Sequence, residues 1–240
     1  MLQILFKMDL ADKVFIITGG SSGLGKAFAK ELKKNLAHVV ISGRDEMKLK
    51  TVAKELGCRF CHADMTKDED LDTLVSFSLK TFGRIDGLIN NAGIGGWSSL
   101  EELTREKMKA VYEVNVFGAA MMAAKVAPIF KSQNYGTIVN IASTASLKGY
   151  KNGTIYSSSK FALRSMTQCW QAELRPYNVR VVQINPSEVP TAFGREDRTE
   201  KDLEPQKLSP QEIADVLIAS LKMDQRGFIP EVTIHATNPF

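Results

Sequence analysis

The sequence predicts an α/β fold: a doubly wound, seven-stranded parallel sheet with helices on both faces. Seven short β-branched or apolar runs, at residues 14–18, 38–42, 58–63, 85–90, 137–142, 179–184 and 232–235, read as strands. Amphipathic segments near residues 24–36, 45–56, 68–81, 103–131, 155–175 and 209–223 alternate with them and read as helices. Strands apolar on both sides and separated by helices lie between two helical layers, and such sheets are parallel. The 240 residues, 44% of them hydrophobic, suffice for one substantial core, and no linker, repeat or low-complexity tract divides them. A single domain over 1–240 follows.

Taken in order, the first run ends at Thr18 and passes into a glycine-rich turn, Gly19-Gly20-Ser21-Ser22-Gly23-Leu24-Gly25, that opens the first helix. The second run ends in Gly43-Arg44, and Asp45 is placed to cap the helix after it. The fourth leads into Asn90-Asn91-Ala92-Gly93, and the long segment 103–131 carries Asn115. Ser143 follows the fifth run, and Tyr156 and Lys160 stand in the helix that Pro176 limits. Pro186 follows the sixth run. Pro210 sits one place after Ser209, as a first-turn proline after its cap. The charged stretch 195–207 shows no periodicity, and 192–208 is read as a substrate loop. Residues 1–8 read as an extension, because Met8 offers a second start that makes 1–7 dispensable; the run is too short for a secretory signal.

Composition narrows the function classes. A net charge of +4, with Lys and Arg scattered among Asp and Glu, gives no nucleic-acid footprint. The most apolar stretch, 114–130, is broken by Lys125 and Pro128 and falls short of the roughly 20 residues of a membrane span. Cys58 and Cys61 form a lone Cys-x-x-Cys in a strand, where positions i and i+3 face opposite sides, and no second pair completes a metal site. Three free thiols in a reducing cytoplasm are expected.

The chemistry-bearing residues are few. Tyr156 and Lys160 are one helical turn apart, so phenol and ammonium can meet on one face. A neighbouring cation favours phenolate, bringing an acid of pKa about 10 toward use in proton transfer. Glycines between a strand and a helix let a backbone approach a pyrophosphate, for which the helix N-terminus supplies N–H donors. The second strand ends without a carboxylate for a ribose hydroxyl, whereas Arg44 can fork onto a 2′-phosphate, so NADP(H) is favoured over NAD(H).

Together these residues resemble the short-chain dehydrogenase/reductase family, in its single-domain form with a Rossmann-type fold, from about Lys13 to the end. Thr18–Gly25 is similar to the family's Thr-Gly-x-x-x-Gly-x-Gly turn, and Asn90–Gly93 to the motif after its fourth strand. The resemblance implies a catalytic set of Asn115, Ser143, Tyr156 and Lys160. Tyr156 would exchange a proton with a carbonyl or alcohol, Ser143 would bond the substrate oxygen, and Lys160 would tune Tyr156 and hold the nicotinamide ribose. Asn115 would hold a water linking Lys160 to solvent. Cofactor contacts are implied for Gly19, Ser21, Ser22, Gly23, Leu24, Gly25, Arg44, Asp64 (toward adenine), Asn91, Ala92, Gly93, Tyr156, Lys160, Pro186 and Thr191. The family's usual Pro-Gly is here Pro186-Ser187, followed by Glu188-Val189-Pro190-Thr191, so the backbone of this loop departs from the pattern.

Substrate contacts are expected from Ser143, Tyr156, Trp97 and Tyr150, with Gly95, Leu147 and Phe193 nearby; this apolar, aromatic set suits a small or medium carbonyl compound. Ala162, Met166, Cys169 and Trp170 form an apolar stripe that core packing explains. The resemblance also implies a homodimer or homotetramer through this helix and the 103–131 segment. The expected activity is NADPH-dependent carbonyl reduction, with 3-oxoacyl-carrier-protein reduction as the alternative and a non-catalytic dinucleotide sensor as the non-enzymatic reading.

Overall fold

The computed structural model describes residues 8–194, 199, 200, 202 and 204–238. Seven strands form one parallel sheet: β1 (Val14–Thr18), β2 (His38–Gly43), β3 (Arg59–His62), β4 (Gly87–Asn90), β5 (Gly136–Ile141), β6 (Val179–Pro186) and β7 (Glu231–Ile234), in the order β3-β2-β1-β4-β5-β6-β7. The helices are α1 (Gly23–Lys34), α2 (Glu46–Leu56), α3 (Asp68–Phe82), α4 (Arg105–Tyr112), α5 (Ala119–Gln133), α6 (Thr154–Leu174) and α7 (Pro210–Leu221). One layer joins α2, α1 and α7; the other joins α3, α5 and α6. Each encloses its own core, the first around Phe15, Phe28 and Ile213, the second around Ile16, Leu74 and Phe130. Alternate residues of β1 thus serve opposite cores, as the period of a strand buried on both faces dictates.

Chain direction across the sheet reverses between β1 and β4, both of which pair with parallel neighbours. The carboxyl ends of strands flanking such a switch point splay their following loops apart and leave a crevice. The expected caps are present. The Asp45 carboxylate accepts from the Lys48 N–H at 3.0 Å at the start of α2. Ser209 and Glu212 exchange side-chain and backbone bonds at the start of α7, with Pro210 in its first turn.

The segment 103–131 is not one helix. Between α4 and α5 the chain widens into a π-helical turn, Glu113–Gly118. The extra residue in that turn lets the Asn115 amide reach sideways: it accepts from the Ile94 N–H at 2.8 Å and donates to the Ile94 carbonyl at 3.0 Å. The run Arg105–Gln133 has the length and apolarity of a membrane span, yet Met122, Ala123, Val126 and Phe130 bury one face of it against the sheet. The stripe on α6 also differs from expectation: Cys169 is exposed and Ala162, Met166 and Trp170 only half-buried, while Leu163 and Thr167 face the core. Met8 belongs to the fold, its N–H donating to the Lys222 carbonyl at 3.0 Å; residues 1–7 of the expected extension lie outside the described residues.

Candidate active site

The glycine turn is built by close approach. Gly19 holds φ at 68°, and a Cβ at Gly25 would collide with the Gly19 carbonyl oxygen. Asn91 braces the turn from β4, its amide donating to the carbonyls of Thr18 at 2.9 Å and Gly19 at 3.0 Å. Thr18 Oγ1 returns the contact, accepting from the N–H groups of Asn91 and Ala92. Ser22 precedes α1 without capping it by its side chain, so the first N–H groups of a 12-residue helix face outward.

Sequence reading missed what meets them. The Glu200 carboxylate accepts from Gly23 N at 2.7 Å and from Ala192 N at 3.0 Å. Glu200 sits in a charged stretch with no periodicity and meets Gly23 only through the tertiary fold, so no local signal marked it. Of the expected loop 192–208, residues 195–198, 201 and 203 lie outside the described residues.

At the other end of the same crevice, Lys160 is buried, 4% exposed, and donates to the Ile141 carbonyl at 2.9 Å. Asn115, 1% exposed, stands behind it and donates to Ser159 Oγ at 3.1 Å. Ser143 opens a short helical turn, Thr144–Ser146, its Oγ accepting from Ala145 N at 3.1 Å. Ser157, next to Tyr156, donates to the Ala145 carbonyl at 2.7 Å and so fastens the Ser143 turn to α6. The Tyr156 phenol, close enough to Ser143 for that hydroxyl to act on its ionisation, lies under the rings of Phe193 and Trp97, with centroids 5.5 Å and 6.0 Å away.

A cleft of about 1120 Å³ joins the two ends. Of the expected residues, Gly19, Ser21, Ser22, Gly23, Leu24, Arg44, Asp64, Asn91, Ala92, Gly93, Trp97, Ser143, Tyr150, Tyr156, Lys160, Pro186 and Thr191 line it. Gly25 lies beneath the turn and Asn115 behind Lys160, outside the lining. The Asp64 carboxylate accepts from Thr66 N and Oγ1; burial raises its pKa, but these bonds and the charges of Arg44 and Lys67 hold it below the usual range. Among the described residues no group of three or more His, Cys, Asp or Glu could hold a metal ion.

The electrostatics of the pair correct the expectation that Lys160 acidifies Tyr156. Burial pushes the Tyr156 phenol well above its ordinary value, and the Ser143 hydroxyl only partly opposes it. Burial likewise lowers Lys160 to about 8, with no carboxylate among the described residues offsetting it. Its ammonium lies 5.7 Å from the centre of the Tyr156 ring. The two groups do share one face of α6, as the four-residue spacing requires. Desolvation, not their mutual attraction, dominates both.

A doubly wound sheet with a glycine turn and such a cleft at its switch point is the architecture of dinucleotide-binding oxidoreductases. The chain belongs to the short-chain dehydrogenase/reductase family, whose model, described as short chain dehydrogenase, matches residues 13–202. An uncharacterized oxidoreductase of Staphylococcus aureus is 33% identical over 228 residues, covering 94% of this chain and 97% of its own. One from Staphylococcus saprophyticus is 35% identical over 234 residues, covering 95% and 98%. Among solved structures, an alcohol dehydrogenase of the archaeon Thermococcus sibiricus complexed with 5-hydroxy-NADP superposes with a TM-score of 0.86 at 28% identity, covering 94% of this chain and 97% of that one. A 3-ketoacyl-(acyl-carrier-protein) reductase of Brucella melitensis complexed with NADH gives 0.85 at 30%, covering 96% and 100%.

Proposed function

We propose that the protein is an NADP(H)-dependent oxidoreductase that interconverts a carbonyl and an alcohol, with Tyr156 as proton donor and acceptor. The observation that carries this reading is the joining, in one cleft, of an anion-accepting glycine turn and a buried Tyr156–Ser143–Lys160 group. The turn fits a dinucleotide: Gly23 N–H already takes a carboxylate, so it can take a pyrophosphate oxygen. Gly19, Ser21, Ser22, Leu24 and Gly25 would form its cradle, Asp64 would face the adenine, Ala92 and Gly93 the adjoining ribose, and Pro186 and Thr191 the nicotinamide. Bound nicotinamide supplies hydride. Tyr156, held protonated by burial, delivers a proton to the carbonyl oxygen, and the Ser143 hydroxyl donates to the same oxygen as charge develops there. Asn115 and Lys160 form the route by which that proton is replaced.

Arg44, exposed at the end of β2 and lining the cleft, supports NADP(H) over NAD(H). Arg44→Ala is expected to weaken NADPH binding roughly tenfold and NADH binding far less; equal losses in a fluorescence titration would remove the phosphate assignment. Glu200 gives a second expectation. Its carboxylate and the pyrophosphate contend for Gly23 N–H, so Glu200→Ala is expected to tighten NADPH binding roughly two- to fivefold. Unchanged or weaker binding would show that the two anions do not compete.

The 3-oxoacyl-carrier-protein reductase alternative is favoured by the likeness to the Brucella protein. NADPH oxidation measured across ketones, β-ketoacyl thioesters, sugars and quinones separates the readings: acyl-carrier substrates turned over strongly, and lost when surface Lys or Arg is neutralised, would favour the alternative. Exposed Phe117, Met121 and Phe161 on the 103–131 segment and α6 suit the homodimer or homotetramer contact that the family resemblance implies. The three free cysteines suit a cytoplasmic protein.

A further inference from the structure

Above Tyr156 the cleft is roofed by two polar-tipped rings tied to each other. Trp97 Nε1 donates to Tyr150 Oη at 3.0 Å. They come from different loops, Trp97 from the one after β4 and Tyr150 from the one after β5, and both remain about half exposed, at 49% and 45%. Each ring packs against a glycine. A Cβ at Gly95 would run into the indole, and one at Gly153 would lie 2.8 Å from the phenol ring. The indole also approaches Gly194 and meets Phe193 edge-on at 6.4 Å, so it touches the loop after β6 as well. Rings seated on backbone and joined by a hydrogen bond have little rotamer freedom left to lose when a ligand arrives.

The direction of the bond matters more than its presence. An indole N–H only donates, so the Tyr150 oxygen is the acceptor and its own hydrogen stays available. No acceptor for that hydrogen is present among the described residues, and Tyr150 lines the cleft beside Leu147 and Phe193. Tyr150 is also close enough to Tyr156 to act on its ionisation electrostatically. The roof therefore offers apolar ring surface and, fixed at one place in it, a single outward hydrogen-bond donor.

Resting on the carbonyl reductase reading, we infer that Tyr150 is a specificity-determining residue: held by Trp97, its hydroxyl donates to a second oxygen acceptor on the substrate, apart from the carbonyl that reacts. The substrate class is then a compact, largely apolar ketone with a second carbonyl or hydroxyl oxygen. Trp97 acts through Tyr150 as its positioning residue, besides presenting ring surface. A site that donates one hydrogen bond disfavours the analogue without the acceptor, because that analogue displaces water from the donor and offers no acceptor in its place.

The test compares cyclohexanone with cyclohexane-1,2-dione and cyclohexane-1,4-dione, which share a ring and differ in the second oxygen. For the wild type, kcat/KM for at least one dione is expected to exceed that for cyclohexanone by about tenfold or more. Tyr150→Phe, which keeps the ring, is expected to lower that ratio about tenfold, mainly through KM of the dione. Trp97→Phe, which keeps a ring but removes the N–H, is expected to lower it in part, and the double variant no further than Tyr150→Phe alone. NADPH titration and a melting curve establish that each variant is folded and binds cofactor. Equal losses on mono- and dicarbonyl substrates, or a ratio unmoved by Tyr150→Phe, overturn the inference while leaving the reductase reading intact. A Trp97→Phe ratio equal to that of the wild type overturns the positioning role. A wild type that binds NADPH but reduces no carbonyl compound refutes the reductase reading, and this inference with it.

Discussion

Tyr156→Phe is expected to lower carbonyl reduction by about 10²- to 10⁴-fold while NADPH affinity falls by less than about tenfold. The substitution keeps the ring that packs against Phe193 and Trp97 and removes only the hydroxyl, so the roof of the cleft has no cause to collapse. What disappears is the hydroxyl proposed as the proton donor, and with it the group that Ser143 acts on. Because burial holds the wild-type phenol above its ordinary pKa, it is protonated throughout the neutral range and ready for reduction. Alcohol oxidation needs the phenolate instead and is expected to rise with pH where reduction does not. Single-turnover rates in both directions, with NADPH fluorescence for binding, give the measurement. A Phe variant with wild-type turnover would remove Tyr156 as the proton donor, whereas a wild type that binds NADPH without turning over any substrate would leave the sensor reading in place of the enzyme.

The strands and their order of chemistry were legible because each motif sits where a buried strand meets its loop. Thr18, Asn90 and Ser143 close runs whose apolarity is visible without coordinates, and Asp45 and Ser209 cap as their neighbours require. The break in the 103–131 segment was not legible. Its residues are ordinary helix formers, and the widened turn exists because Asn115 bonds the backbone of Ile94, in a distant loop. The same limit hid the sign of the Tyr156 shift. Four-residue spacing shows that a cation is near, but how dry the site is depends on Trp97 and Phe193, contributed by other loops. Glu200 was illegible for a like reason, its partner being a backbone N–H with no side chain to suggest a pairing. Exposure of the α6 stripe likewise follows from which face the sheet takes, and periodicity alone fixes only that a face exists.

Lys160→Met is expected to do two opposed things: lower turnover about 10²-fold or more and raise the stability of the cofactor-free fold at pH 7. Burial lowers the folded-state pKa of Lys160 to about 8, against about 10.5 in the unfolded chain. Below pH 8 both states carry the proton, and the folded state bears the full penalty of a buried ammonium, about 3 kcal/mol. Between pH 8 and about 10.5 the unfolded chain still binds the proton and the folded one does not, so wild-type stability contributed by this group grows as pH rises. Methionine cannot titrate and fits the same long slot. It leaves the Ile141 carbonyl without its donor, a loss of about 1 kcal/mol, so a net gain of about 2 kcal/mol is expected at pH 7. That advantage is expected to vanish toward pH 10. Urea melts of both proteins at pH 7 and pH 10 measure it. A variant less stable than wild type at pH 7, or a difference that does not move with pH, would mean that the ammonium is not held against its hydration as the structure indicates. A buried cation whose replacement raised stability and removed turnover together would be one kept in place by the chemistry of the cleft rather than by packing.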